Sequence, residues 1–147
     1  MWEYEYTENA AVPAATVWQA WADVPGWRTW NPDVTAAAVD GPFGAGSTVE
    51  MTLGSGDVIP LRLVEVVPGE RFTDEASLDG IVVRTLHRVD AATDGDPAGG
   101  CRVTYATQVS GEAPEEVLAE VGAGITADFP QTVAALLAHC AAVRDPA

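Results

Sequence analysis

The C-terminal part of the chain carries apolar residues at the spacing of a helix. Between Pro114 and Arg144 they recur every three or four positions, and the stripe consists of Val117, Val121, Ile125, Phe129, Val133, Leu136, Leu137 and Cys140. This period places one apolar face of a helix against another element. The pattern therefore predicts one long helix over 114–144.

Pro130 and two glycines interrupt this predicted helix. Proline lacks a backbone N–H donor and clashes with the preceding turn, so we expect a kink between Thr126 and Pro130. Gly122 and Gly124 each cost about 1 kcal/mol relative to alanine in a helix interior. Two interpretations of these glycines stay open: close packing on a sheet, or a half-helix that flexes to admit a ligand.

Upstream of this helix, apolar and polar residues alternate with the period of strands. The first strand begins at Trp2, and Trp2, Tyr4 and Tyr6 should share its inward face. Glycine, proline and aspartate separate six further strands, which we expect at about 34–40, 48–53, 58–67, 71–77, 81–90 and 101–110, with a hairpin loop at 94–100.

Asp79-Gly80 is the strongest hairpin signal in the chain. A two-residue turn there opposes Glu75 to Arg84 as an outward ion pair. The inward face then carries Phe72, Asp74, Ala76, Val83, Thr85 and His87. The same register opposes Arg71 to Arg88, so we expect the pairing to stop or bulge before that pair.

Two short helices are predicted between the first and second strands. Val12-Pro13 begins one of them, because proline suits the first helical position, and Asp23 with Pro25 begins the other. Asn31-Pro32 ends the second helix. The chain over 1–147 is therefore expected to be one α+β domain, in which a seven-stranded curved antiparallel sheet surrounds the long C-terminal helix with a ligand space between them.

The net charge of the chain makes some classes of binding partner unfavourable. The chain has 22 acidic residues and 7 basic ones, all of them arginine, which gives a formal net charge of −15. Such a protein repels phosphate backbones and anionic membranes, so we expect no nucleic acid and no membrane insertion. The N-terminus lacks the basic and apolar regions of a signal peptide. We expect a cytoplasmic monomer or homodimer.

Few side chains are available for metal or thiol chemistry. The two cysteines, Cys101 and Cys140, and the two histidines, His87 and His139, are too scattered to form a ligand cluster. We expect no metal and no cofactor. Both thiols are interpreted as small buried hydrophobes.

Short motifs along the whole chain resemble those of one superfamily. They are Val17-Trp18 with Trp21, Asp23-Val24, Trp27, Trp30-Asn31-Pro32, Gly41-Pro42-Phe43 with Gly46, Val64 to Pro68, Phe72 to Glu75, and Gly100 to Tyr105. With the order of elements, they resemble the helix-grip fold of the SRPBCC (START-like) superfamily, in its polyketide cyclase/dehydratase and lipid-transport branch. The resemblance implies a cavity between sheet and long helix. Members range from enzymes to carriers, so it leaves the function open.

Alternation and the resemblance together nominate the residues that contact a ligand. They are Tyr4, Tyr6, Trp30, Phe43, Met51, Phe72, Thr85, Thr107, Ile125 and Phe129. Apolar walls with a few polar groups suit a small molecule. In the resembling proteins Trp30 would end a helix at the cavity mouth, and Phe43 would lie in a loop at the entrance, where it could act as a lid.

Asp74, His87 and Tyr105 are the candidates for catalysis. Asp74 would orient and charge the imidazole, and His87 would move protons near neutral pH. Tyr105, or alternatively Tyr4, would polarise a carbonyl. This chemistry suits cyclisation or dehydration of a poly-β-ketone or aromatic substrate. A buried pair with a purely structural role is the competing interpretation.

Three functions are therefore carried forward. The first is binding of a hydrophobic or aromatic small molecule in the cavity, without a cofactor. The second is a cofactor-independent polyketide cyclase or dehydratase that uses the acid/base residues. The third is a protein-interaction role, which would require a filled core.

Overall fold

The computed structural model describes residues 1–91 and 100–144. Its elements are β1 (Trp2–Ala10), α1 (Ala14–Ala22), a 3-10 turn (Val24–Gly26), α2 (Trp27–Trp30), β2 (Val34–Val39), β3 (Thr48–Leu53), β4 (Val58–Val67), β5 (Arg71–Leu78), β6 (Ile81–Ala91), β7 (Cys101–Gly111), α3 (Glu115–Thr126) and α4 (Phe129–Arg144). The predicted α+β helix-grip fold is confirmed. The hairpin loop expected at 94–100 lies, apart from Gly100, outside the described residues.

The seven strands form one antiparallel sheet in the order β1-β7-β6-β5-β4-β3-β2. The pairing of β4 with β5 shifts register between Leu63 and Glu65, and that of β2 with β3 shifts between Val34 and Ala36. Such bulges bend a strand and increase its twist. The sheet is curved, and its concave face packs against the helices.

The β5–β6 hairpin has the predicted register throughout. Asp79 and Gly80 have φ values of 50° and 82°, as a two-residue turn of this kind requires. The expected interruption before Arg71 and Arg88 is wrong, because these residues do pair. Each arginine has its own carboxylate partner: Arg71 Nε lies 3.0 Å from Glu65 Oε1, and Arg88 Nε lies 3.0 Å from an oxygen of Asp90. These contacts offset the repulsion.

The long C-terminal helix bends at the predicted place. Ala127 and Asp128 separate α3 from α4, and Pro130 is the second residue of α4. There its missing N–H costs little, because the first N–H groups of a helix have no partner within that helix. The proline therefore permits a new helix to begin.

The apolar stripe was predicted correctly for α4 but was wrong by one position for α3. In α4 the buried residues are Phe129, Val133, Leu136 and Cys140. In α3 they are Leu118, Gly122 and Thr126, whereas Val117 is 38% and Ile125 is 37% exposed.

Gly122 explains this choice of face. A Cβ added at Gly122 would overlap the ring of Trp2, so the glycine lets α3 approach β1 closely. Close packing is thus the correct interpretation of Gly122. At Gly124 an added Cβ meets nothing within 4 Å, so packing does not explain this second glycine.

The main core lies between the concave face of the sheet, α1 and α4. Trp21 and Phe72 are each 1% exposed at its centre, with their ring centroids 5.5 Å apart. Within the described part of the chain, no helix is both long and apolar enough to span a bilayer.

Candidate functional site

A cavity of about 630 Å³ lies between the concave face of the sheet and the helices. This volume is in the range of pockets that enclose a small organic ligand. Its inner part is built from side chains of α1, α2 and the central strands, namely the buried Trp21, Trp27, Phe72, Asp74 and Tyr105 and the half-buried His87.

The mouth of the cavity is formed by three exposed segments. Pro32 and Asp33 follow α2, Gly54 and Ser55 join β3 to β4, and Gly124, Ile125 and Asp128 surround the break between α3 and α4. The helix break therefore forms part of the rim, so a change at the break alters the entrance.

The structure brings nine of the thirteen predicted site residues to the cavity lining. They are Trp30, Met51, Phe72, Asp74, Thr85, His87, Tyr105, Ile125 and Phe129. Ile125 lies at the mouth, and the other eight are buried or half-buried.

The remaining four, Tyr4, Tyr6, Phe43 and Thr107, have other environments and do not line the cavity. Tyr4 is 38% exposed and its ring lies beside those of Trp2 and Phe129.

The other three are engaged in contacts of their own. The Tyr6 hydroxyl donates a hydrogen bond to Glu8 Oε2 at 3.1 Å. The Thr107 hydroxyl shares a hydrogen bond of 3.0 Å with that of Thr85. Phe43 packs edge-on against Phe72, with ring centroids 5.1 Å apart, and so supports the cavity wall from outside its lining.

Sequence reasoning missed several lining residues. Trp21 and Trp27 are not among the residues predicted to contact a ligand, yet their rings form both core and cavity wall. Asp33 and Asp128 lie in connections that have no hydrophobic period, so alternation cannot place them. Asp33 follows directly on Trp30-Asn31-Pro32, and that proximity to a predicted mouth residue was the available signal.

His87 lies within a box of aromatic rings. Its imidazole stacks on Phe72 at a centroid distance of 4.1 Å and meets Tyr105 edge-on at 4.6 Å. Burial lowers the pKa of His87 from 6.5 to about 3, although nearby backbone groups of Phe72 and Thr85 oppose the shift. The imidazole is therefore neutral near neutral pH.

Asp74 stands on the same face without a partner. It is 7% exposed, and among the described residues its carboxyl group makes no hydrogen bond or ion pair. Burial raises its pKa from 3.8 to about 7. The expected pair, in which the carboxylate charges the imidazole, is not formed among the described residues: no hydrogen bond or ion pair joins the two groups, and His87 Nδ1 has no partner. Burial accordingly shifts the pKa of each group toward its neutral form.

The Tyr105 hydroxyl has a partner on α1. The indole Nε1 of Trp21 donates to the Tyr105 hydroxyl oxygen at 3.2 Å, so the phenol oxygen acts as an acceptor on that side. Burial and the nearby charge of Asp74 raise the pKa of Tyr105 well above 10. Its hydroxyl proton is retained and is available to a group in the cavity.

Two further polar atoms at the cavity wall lack partners. Within the described chain, Trp30 Nε1 and His87 Nδ1 are buried and make no hydrogen bond. Buried polar atoms without a hydrogen-bond partner are rare in native proteins. A bound ligand that supplies the partner is one explanation for them. No cluster of three or more potential metal ligands occurs among the described residues.

Comparison with known proteins agrees with this architecture. Residues 1–142 match the model of the family described as polyketide cyclase / dehydrase and lipid transport. No curated protein matches the chain by sequence.

Solved structures share the fold at low sequence identity. The di-domain ARO/CYC BexL from the BE-7585A biosynthetic pathway superposes with a TM-score of 0.82 at 18% identity over 99% of this chain, which spans only 48% of that protein. The ZhuI aromatase/cyclase from Streptomyces sp. R1128 has a TM-score of 0.78 at 16% identity, over 99% of this chain and 96% of its own. A START superfamily protein from Mycobacterium smegmatis has a TM-score of 0.70 at 13% identity, over 96% and 98% of the two chains.

Proposed function

Because this chain belongs to the polyketide cyclase/dehydrase and lipid transport family, we propose that it binds a hydrophobic or aromatic small molecule between its sheet and its C-terminal helices. The observation that carries the proposal is the cavity of about 630 Å³ with aromatic side chains in its wall. It also argues against the protein-interaction alternative, which requires a filled core.

The lining supports a ligand of this class. Rings of Trp21, Trp27, Trp30, Phe72 and Phe129 offer flat apolar surfaces, while a few polar groups are available to fix orientation. Burial of about 200 Å² of apolar ligand surface contributes roughly 5 kcal/mol. We expect dissociation constants of roughly 0.1–1 mM for simple aromatic compounds, before specific polar contacts are added.

The proposal is tested with N-phenylnaphthylamine, a neutral probe whose fluorescence rises in apolar surroundings. Ala76 lines the cavity, so Ala76→Leu fills part of it and should weaken probe binding at least fivefold. The neighbouring Ser77 is exposed on the opposite face of the same strand, so Ser77→Leu is the matched control and should leave affinity unchanged. An equal loss of probe affinity in both variants would overturn the proposal. Absence of probe binding to the parent protein would overturn it as well.

A second candidate, cofactor-independent cyclisation or dehydration, is favoured by one observation. Asp74 is an unpartnered carboxyl in an apolar site, and its pKa of about 7 suits a group that both gives and takes protons. In this account Asp74 transfers the proton, Tyr105 donates to the developing oxyanion, and neutral His87 helps to position the substrate.

The catalytic candidate makes a separate prediction about turnover. With a poly-β-ketone substrate, Asp74→Asn should lower kcat by about 100-fold or more while N-phenylnaphthylamine still binds. His87→Gln should likewise spare probe binding and reduce turnover. Unchanged turnover in Asp74→Asn would exclude acid/base catalysis by this carboxyl, and unchanged turnover in His87→Gln would exclude a role for the imidazole.

A further inference from the structure

The charged side chains around the cavity are all acidic. Asp33 and Asp128 are exposed at the mouth, and Asp74 lies in the inner part. No arginine is among the described lining residues, and the chain contains no lysine. An anionic ligand would therefore meet like charges at the entrance and find no counter-ion inside.

The carboxyl group of Asp74 has no hydrogen-bond or ion-pair partner among the described residues, and a ligand could supply one. The carboxyl group is more than nine-tenths buried, faces the cavity and makes no hydrogen bond or ion pair among the described residues. A buried carboxylate is stable only when it is paired or hydrogen-bonded, and none of the described lining residues provides a positive charge. The missing complement is a cationic hydrogen-bond donor.

The aromatic wall fits the same kind of group. Trp27, Trp30 and Tyr105 line the cavity together with Asp74, and the faces of such rings attract ammonium ions, more strongly when water is excluded. The net charge of −15, with two aspartates at the rim, draws cations toward the mouth.

We propose that the ligand of this cavity is an aromatic or apolar amine whose ammonium group pairs with the carboxylate of Asp74. The proposal rests on the function proposed above and names its ligand class. A neutral carbonyl compound that accepts a hydrogen bond from protonated Asp74 is the competing occupant. The two differ in how binding depends on ligand charge and on pH.

Three compounds of matched size separate these occupants: naphthylethylamine, naphthylethanol and naphthylpropionate. Their affinities are measured by displacement of N-phenylnaphthylamine. Near pH 8 the amine should bind at least tenfold more tightly than the alcohol, and the acid should bind most weakly. Asp74→Asn should remove the advantage of the amine and change the affinity of the alcohol less than threefold. Glu75→Gln, on the convex face of the same strand, is the matched control and should keep the preference.

The pH profile supplies an independent readout. The amine keeps its charge up to about pH 10, so between about pH 5.5 and 8.5 the change comes from the protein. The titratable groups that face Asp74 in the cavity are His87, Tyr105, Asp33 and Asp128; His87 and Tyr105 stay neutral over this range. Amine affinity should rise about tenfold or more as Asp74 ionises, and that of the alcohol should not rise.

The outcomes separate failure of this inference from failure of the function on which it rests. If the alcohol binds as tightly as the amine, or if Asp74→Asn keeps the preference for the amine, the ammonium assignment is overturned while ligand binding stands. If N-phenylnaphthylamine and all three compounds fail to bind, the proposed function itself fails.

Discussion

At the scale of single residues, two titratable groups of the cavity, Asp74 and His87, make stability depend on pH in opposite directions. The pKa of Asp74 is raised to about 7, so folding takes up a proton between pH 3.8 and 7. The favourable contribution of Asp74 to the free energy of unfolding is complete below pH 3.8 and is lost as pH rises through 7. The pKa of His87 is lowered to about 3, so its contribution is complete above pH 6.5 and is lost as pH falls through 3.

Asp74→Asn should therefore stabilise the protein increasingly as pH rises from about 4 to 7, with the full gain kept above pH 7. At about pH 8 the variant avoids a buried, unpaired carboxylate, and its free energy of unfolding should exceed that of the parent by roughly 2–4 kcal/mol. At about pH 4 the difference should fall below about 1 kcal/mol. Urea denaturation at both pH values measures it. Glu75→Gln removes the same charge from an exposed ion pair and controls for net charge; an equal gain in both variants would contradict the burial of Asp74.

His87→Phe should act in the opposite pH range. The substitution keeps an aromatic ring on Phe72, removes the unpartnered Nδ1 atom and abolishes protonation. As pH falls from about 7 to 4, the free energy of unfolding of the variant should rise by roughly 2–3 kcal/mol relative to that of the parent. The matched control is His139→Phe, at a half-buried position on α4 away from the cavity. A gain that does not depend on pH would show that His87 is not buried in its neutral form.

The sequence predicted which residues face inward from the sheet more reliably than it predicted which residues line the cavity. Alternation placed Asp74, Thr85 and His87 inward because successive strand residues point to opposite faces. It could not tell how far along that face the cavity extends. Tyr4 and Thr107 occupy one cross-strand row with Thr85 and Asp74, yet only the latter two line the cavity. That boundary depends on where the helices lie.

At the scale of elements, strands and turns followed from local chemistry, whereas the helix face did not. Asp79-Gly80 determined the β5–β6 register because few residues adopt positive φ. For α3, Val117 and Leu118 are equally apolar, and the choice of Leu118 depends on the fit of Trp2 against Gly122. A hydrophobic pattern cannot predict a contact that depends on glycine having no side chain.

The two glycines of α3 should respond oppositely to alanine. Gly124 is exposed with free space around it, so Gly124→Ala should stabilise the protein by about 0.5–1 kcal/mol. Gly122→Ala would force a methyl group into Trp2 and should destabilise it by about 1–3 kcal/mol. Thermal and urea unfolding measure both. If Gly124 allows the rim to flex, Gly124→Ala should also slow association of N-phenylnaphthylamine; an unchanged rate would remove that role.

At the scale of the whole molecule, the curved sheet and the bent C-terminal helix together create the cavity. The break at Ala127 and Asp128 separates two helices with different tasks: α3 packs closely on β1 and β7, and α4 packs on α1 and contributes Phe129 and Thr132 to the lining. A cytoplasmic location, a monomeric or homodimeric state and a single domain over 1–147 stay predictions of the sequence.

The five tryptophans provide the most direct test of ligand binding in this cavity. Trp21, Trp27 and Trp30 line it, whereas Trp2 and Trp18 do not. In a titration of ¹⁵N-labelled protein with N-phenylnaphthylamine, the indole N–H signals of the three lining tryptophans should show the largest shifts and follow one saturating curve with a single site. If all five signals stay unchanged, or if the largest shifts fall on Trp2 and Trp18, the cavity is not the binding site.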